Sequence, residues 1–213
     1  MRRARIWRWL VAAFLCAGLI GISIRFVDRP VARLAARFHL FNGVLSSGLV
    51  QSPILVGLAA LAVFIAGLLL ALDLQLPPWL RSLLRAALLS GLAMSWGLCV
   101  TEFLLKPLFG RTLPGEYLLN GSYAFHWFEH GDQFGSFPSG HTVQIASIAM
   151  VVWTLYPRWR WACVFAVGLV AVALILAERH FVSDIIAGGL LGAVSGRLMT
   201  RTWQTAENAR SAV

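Results

Sequence analysis

Three short strings in this chain bring together residue types that can handle a phosphoryl group. The first is Phe137-Pro138-Ser139-Gly140-His141, which stands directly before an apolar stretch. Ser139 reads as the N-cap of a helix. The free backbone N–H groups and positive dipole of such a helix start suit an anion. Gly140 lets a bulky oxyanion approach the backbone, and His141 projects beside it as a proton donor. Taken alone, the string is equally a capped helix with an interfacial histidine. The second string runs from His180 to Asp184. Its two ends are four residues apart and share one helical face. A carboxylate on one imidazole nitrogen fixes the tautomer and leaves the other nitrogen as a nucleophile or base. Taken alone, the pair is more simply ordinary electrostatics at a helix start. The third string holds Lys106 and Arg111, five residues apart across Pro107 and Gly110. Both suit phosphate, lysine as a point charge and arginine as a planar fork, although snorkelling to lipid headgroups is the alternative. Glu102, one turn before Lys106, is expected to pair with it. Arg179, beside His180, is a further cation for the same place.

Together these strings supply two cations, a helix N-terminus, a proton-donating histidine and a carboxylate-oriented histidine. That set would move a phosphoryl group through a phosphohistidine, with no metal and no cofactor. His180 attacks phosphorus and His141 protonates the leaving oxygen. Water then releases phosphate with His141 as base.

The chain that must position these groups is a membrane protein by composition. Its 213 residues are 59% hydrophobic and only 13% charged, whereas a soluble domain carries about 25% charged residues. A soluble globular domain and a disordered chain are both excluded. The net charge of +9 does not point to nucleic acid, because the basic residues lie between apolar runs rather than in one basic domain. Cys16, Cys99 and Cys163 are far apart, each inside an apolar run. They form no disulfide framework and no metal spacing, and read as buried hydrophobes.

Six apolar stretches, at about 6–27, 53–72, 80–105, 140–156, 161–177 and 182–199, predict six transmembrane helices in an all-α polytopic bundle. The first stretch lacks an A-x-A cleavage site and reads as a retained signal anchor. The chain is read as one membrane domain, 1–213, with the motifs inside 102–188 and short basic tails. With the N-terminus inside, eleven of the eighteen basic residues fall on inner segments, and the net charge divides as +9 inside and zero outside. Both termini are therefore expected in the cytoplasm. Lys106, Ser139 to His141, and His180 with Asp184 then converge on the outer side, where ionisable groups at span ends tend to be functional. Residues 28–41 are amphipathic and read as a short helix in the membrane surface or as a linker. The connection 107–138 holds five glycines and eight aromatic residues, and long structured loops of that kind often carry function.

At these motifs the sequence resembles the type 2 phosphatidic acid phosphatase superfamily of membrane lipid phosphatases, over about residues 80–200. The family pattern is Lys-x6-Arg-Pro, then Pro-Ser-Gly-His, then Ser-Arg-x5-His-x3-Asp. The second part is intact at Pro138, Ser139, Gly140 and His141, and the third keeps His180 and Asp184, followed by Ile185, Ile186, Ala187 and Gly188. The resemblance implies that His180 is the nucleophile, Asp184 its partner and His141 the acid. It makes Lys106 and Ser139 phosphate ligands. It also implies a lipid phosphate substrate, reached from the periplasmic side of a bacterial inner membrane. Two arginines of the pattern fall instead on Leu113 and Leu174. Arg111 and Arg179 lie near those gaps and are expected to replace them; otherwise activity is weakened or lost. Two other classes compete. His126, Glu129 and His130 spell the H-x-x-E-H string of inverted zinc peptidases, which requires a helix. A transporter or flippase would bind a lipid phosphate without cleaving it. The particular lipid and the oligomeric state are not written in these motifs.

Overall fold

The computed structural model describes residues 2–37, 53–72, 75–129, 131 and 133–210. In chain order its α-helices are α1 (Arg2–Ile22), α2 (Asp28–Ala36), α3 (Pro53–Ala71), α4 (Pro78–Val100), α5 (Lys106–Phe109), α6 (Pro114–Asn120), α7 (Gly140–Leu155), α8 (Arg160–Leu176) and α9 (Val182–Arg210). Two π-helical turns, Ser23–Val27 and Thr101–Leu105, join α1 to α2 and α4 to α5. Among the described residues there is no strand, only isolated bridges between Arg111 and Phe125 and between Thr112 and Phe134. The all-α expectation agrees with this.

A helix lies over each of the six apolar stretches. Among the described residues, four helical runs are long and apolar enough to cross a membrane: Leu10–Ala36, Pro78–Phe109, Pro157–Leu176 and Val182–Ala209. Leu61–Ala71 and Gly140–Leu155 are apolar but shorter. The sixteen residues of α7 reach about 24 Å at 1.5 Å per residue, short of a ~30 Å hydrocarbon core. The bundle has an inside and an outside. The most apolar window of the first run is 6% buried and that of Pro157–Leu176 is 11%, against 33% and 39% for the runs containing α4 and α9. Phe14, Phe103, Trp161 and Phe165 stand exposed on this surface, a distribution that suits lipid and not water.

Small residues let the central helices touch. Gly188, Gly192 and Gly196 form a stripe along α9 at four-residue spacing. A Cβ on each would lie 2.5 Å from the Ser139 carbonyl, 2.5 Å from the Val143 carbonyl and 2.6 Å from the Ser147 carbonyl, all belonging to α7 or its cap. The backbones of α7 and α9 are therefore in direct contact, the arrangement small residues permit between membrane helices. Gly97 of α4 meets the same crossing, beside Val143, Ser147 and Ser195. Toward the other end, Leu89, Ala93 and Val151 pack with Leu155, Met199 and Trp203. There Arg85 of α4 pairs with Glu207 of α9 at 2.5 Å.

Two element boundaries differ from the sequence reading. The first helical run does not break near residue 27. Ile22, Val27 and Asp28 all keep right-handed helical dihedrals, so α2 continues α1 through a wide turn, and Ala32 and Ala35 on it are buried. Residues 38–41 of the expected surface helix lie outside the described residues. At the other terminus α9 runs on to Arg210, where a basic tail was expected, and its Arg85–Glu207 pair fastens that extension to α4.

Candidate active site

The stripe of glycines on α9 brings the start of α7 against the start of α9. The Ser139 N–H donates to the Asp184 carbonyl at 3.1 Å. The Ser139 hydroxyl caps α7 as expected, accepting from the Thr142 N–H at 3.3 Å and from the Thr142 hydroxyl at 3.0 Å. Gly140 opens the helix close against the Glu102 and Lys106 side chains. A Cβ there would meet Glu102 Oε1 at 2.8 Å, with Lys106 Nζ at 3.9 Å. Lys106 donates to Glu102 Oε2 at 2.9 Å and lies 2.7 Å from Oε1. The expected pairing of these two is present, and it holds the ammonium beside the α7 N-terminus. A π-helical turn directly precedes Lys106, as another directly precedes Asp28. Such a turn rotates the residues after it relative to an unbroken α-helix, and π turns are frequent at functional sites.

His180 is 7% exposed. Its ring centroid lies 6.0 Å from that of His141. Lys106 and Arg179 also lie close enough to act on His141 electrostatically. The expected hydrogen bond between Asp184 and His180 is not made. Asp184 Oδ2 is 3.8 Å from His180 Nδ1, and the Ser136 carbonyl takes the place next to that nitrogen at 2.9 Å. A carbonyl can only accept. Nδ1 therefore carries the proton, and Nε2 is left with the lone pair. Asp184 governs the histidine at one remove: its Oδ2 accepts from the Ser136 hydroxyl, and also from the Phe181 N–H at 2.8 Å.

Arg111 also reaches Asp184, but not as the expected phosphate fork. It is 1% exposed. Nη1 donates to Asp184 Oδ1 and to the Ser183 hydroxyl, the latter at 2.6 Å. Nη2 donates to Asp28 Oδ2 at 2.7 Å and to the Tyr123 hydroxyl at 2.9 Å. All four terminal N–H groups thus have protein acceptors, and none is left to meet a substrate. Burial would lower the basicity of this guanidinium, but Asp184 and Asp28 outweigh it and hold it charged. Burial likewise raises the Tyr123 phenol above its ordinary range, so it stays neutral. The rings of Phe181, Phe125 and Tyr123 lie 4.5, 4.9 and 5.2 Å from the guanidinium carbon. Gly110 makes this placement possible. It ends α5 in a left-handed conformation with φ of 49°, and a Cβ there would lie 1.8 Å from the His126 carbonyl.

The connection after α5 frames one side of the site. Residues 110–113 run between two other loop segments, with the Thr112 N–H bonded to the Ala124 carbonyl and the Gly135 N–H to the Arg111 carbonyl. A cavity of about 280 Å³ opens there, lined by Glu102, Lys106, Glu129 and Phe134 among others. His126 and Glu129 sit in a turn rather than a helix, with Nδ1 and Oε2 3.8 Å apart. The H-x-x-E-H string therefore does not present its ligands as a zinc peptidase helix would; His130 lies outside the described residues.

The structure thus brings His180, His141, Asp184, Ser139, Gly140 and Lys106 to one place, with Arg179 near His141. Sequence reasoning missed Ser136, Ser183, Tyr123 and Asp28. Only Ser183 carried a signal, since it lies within the His180 to Asp184 string.

A family model for the PAP2 superfamily matches residues 80–208. A lipid A 1-phosphatase of Rhizobium etli is 29% identical over 192 residues, covering 87% of this chain and 81% of that protein. One from Rhizobium johnstonii is 32% identical over 90 residues, 42% of this chain and 37% of that protein. Among solved structures, a PAP2-type phosphatidylglycerolphosphate phosphatase from Bacillus subtilis is 17% identical, with a TM-score of 0.44 over 94% of this chain and 96% of that one.

Proposed function

The chain belongs to the PAP2 superfamily, and on that premise we propose that it is an integral membrane phosphatase releasing phosphate from a lipid phosphate or diphosphate through a phosphohistidine. One observation carries the reading. The His180 ring has its Nδ1–H held by the Ser136 carbonyl at 2.9 Å and lies 6.0 Å from the His141 ring at the start of α7. Nε2 of His180 attacks phosphorus, forming an N–P bond as the P–O bond to the lipid breaks. His141 gives its proton to the leaving oxygen. Water then attacks phosphorus, His141 takes its proton, and the N–P bond breaks to free phosphate and restore Nε2. Negative charge on the transferring group faces Lys106, the N–H groups at the start of α7 and Arg179. Electrostatic placement of that kind supplies most of catalysis in phosphoryl transfer.

Because these cations meet the phosphate, turnover is expected to survive EDTA. Loss on chelation with recovery on adding zinc would replace this mechanism by a metal-assisted one. The headgroup is assigned to the cavity beside Lys106. A lipid A phosphate is the first substrate to try, since two relatives are named for it. Phosphatidic acid, phosphatidylglycerol phosphate and a polyprenyl diphosphate complete the panel. The test is phosphate release from that panel by protein purified in detergent, with His180→Ala beside it. Release abolished by His180→Ala is the expected result. Binding of a lipid phosphate with no release from any substrate would make the chain a carrier.

A further inference from the structure

Asp28 is a fully buried carboxylate, 0% exposed, on the N-terminal helical run and outside the residues matched by the family model. The phosphoryl-transfer mechanism makes no use of it. It is nevertheless tied to the start of α9 by two routes. Its Oδ1 accepts from the Ser183 N–H at 3.0 Å, and its Oδ2 accepts from the Ser183 hydroxyl at 2.5 Å. Asp28 thereby caps α9 from another helix, a role usually filled by the residue before the first turn. Its Oδ2 also accepts from Arg111 Nη2, while Nη1 of the same guanidinium holds Asp184. Tyr123 closes the group. Its hydroxyl accepts from Arg111 and lies 2.7 Å from the Ile24 carbonyl and 3.0 Å from Asp28 Oδ2. A chain of polar contacts then runs from Asp28 through Arg111 and Ser183 to Asp184, from Asp184 to the Ser136 hydroxyl, and from the Ser136 carbonyl to His180 Nδ1.

Charge gives this chain a direction. Asp28, Arg111 and Asp184, ionised, sum to one negative charge. Without Asp28 the guanidinium cancels Asp184 outright. The imidazole ring gains positive charge as Nε2 bonds to phosphorus, and a net negative group beside it favours that step.

We propose that Asp28 is a positioning residue for His180: it fixes Arg111 and the first turn of α9, and keeps the group behind the nucleophile net negative. This rests on the phosphohistidine reading.

The experiment is rapid quench of the purified protein with a radiolabelled lipid phosphate at saturating concentration. It counts active sites by burst amplitude and measures the rate constant of labelling separately. Wild type should label and His180→Ala should not; failure there sinks the nucleophile assignment, whatever Asp28 does. Given that control, Asp28→Asn should slow labelling roughly tenfold to a hundredfold, the range for outer partners that orient an active group, with KM little changed. A fall in amplitude with an unchanged rate constant would reduce Asp28 to a folding role and overturn the proposal. Ser183→Ala is the milder companion, kept in case Asp28→Asn yields no folded protein. It removes the hydroxyl that touches both Asp28 and Arg111 and leaves every charge. It should slow labelling by about three- to tenfold, one ordinary hydrogen bond. A folded Ser183→Ala protein with the wild-type rate constant would also overturn the proposal.

Discussion

Arg111 donates to two carboxylates that are both 0% exposed. Removing one member of a buried ionic group is far more damaging than never having the group, because the remaining charges are left without partners. Arg111→Ala is therefore expected to destabilise the protein by about 3–5 kcal/mol, read as a lower midpoint of thermal unfolding in detergent and a lower yield. An arginine that served only to bind phosphate would behave the other way, with unchanged stability and reduced turnover, so the two measurements together decide its role. Arg111→Lys should recover only part of the loss, since an ammonium has three N–H groups for four acceptors and no planar fork. The string around Arg111 misled because Lys106 is its neighbour along the chain, whereas Gly110 turns the backbone so that its neighbours in space are Asp28 and Asp184. The Ser139 cap and the Lys106–Glu102 pair were legible because both are short-range and helical, whereas the direct Asp184–His180 bond that helical spacing suggested is not made. Ser136 was not legible, because it acts through a carbonyl that every residue possesses. Asp28 was not, because 155 positions separate it from Ser183.

The same limit appears among the helices. Hydropathy located them, since every apolar stretch became a helix. The contact face of α9 came only with the structure, where Gly188, Gly192 and Gly196 meet α7 and its cap. The two π-helical turns and the three-segment loop had no local pattern to betray them. Contact through backbone makes the glycine stripe unforgiving. At Gly192 a Cβ would lie 2.5 Å from the Val143 carbonyl, 2.8 Å from the Ala146 Cβ and 2.9 Å from the Ser147 N. No side chain can swing aside to make room. Gly192→Ala should therefore cost about 1–3 kcal/mol, as overpacking does. It should also lower turnover per folded molecule, because parting α7 from α9 stretches the Ser139–Asp184 contact that sets the site. Gly168→Ala on α8 is the control, because nothing lies within 4 Å of the added methyl. Equal melting shifts for the two variants would deny that the stripe holds the helices together.

At the scale of the whole molecule, the site and the arginine-rich segments occupy opposite ends. Lys106, His141 and His180 stand at one end of α5, α7 and the α8–α9 connection. The other end holds the Arg85–Glu207 pair and a hydrogen bond between Ser82 and Tyr156 at 2.9 Å. Arg81, Arg85, Arg158, Arg160, Arg197 and Arg201 all belong to segments on that second side. Basic segments of short loops are retained in the cytoplasm, so the phosphatase end should face outward, toward the periplasm of a bacterial cell. Leu119, 82% exposed on α6 beside the site, and Trp159, 52% exposed between α7 and α8, sample the two ends. Each is replaced singly by cysteine in a protein whose Cys16, Cys99 and Cys163 are alanine. Leu119→Cys should react with a membrane-impermeant maleimide on intact spheroplasts, and Trp159→Cys only after lysis. The reverse pattern would put the site on the cytoplasmic face. The substrate would then have to be a lipid phosphate of the inner leaflet, and the charge asymmetry of this chain would run against the rule that usually sets topology.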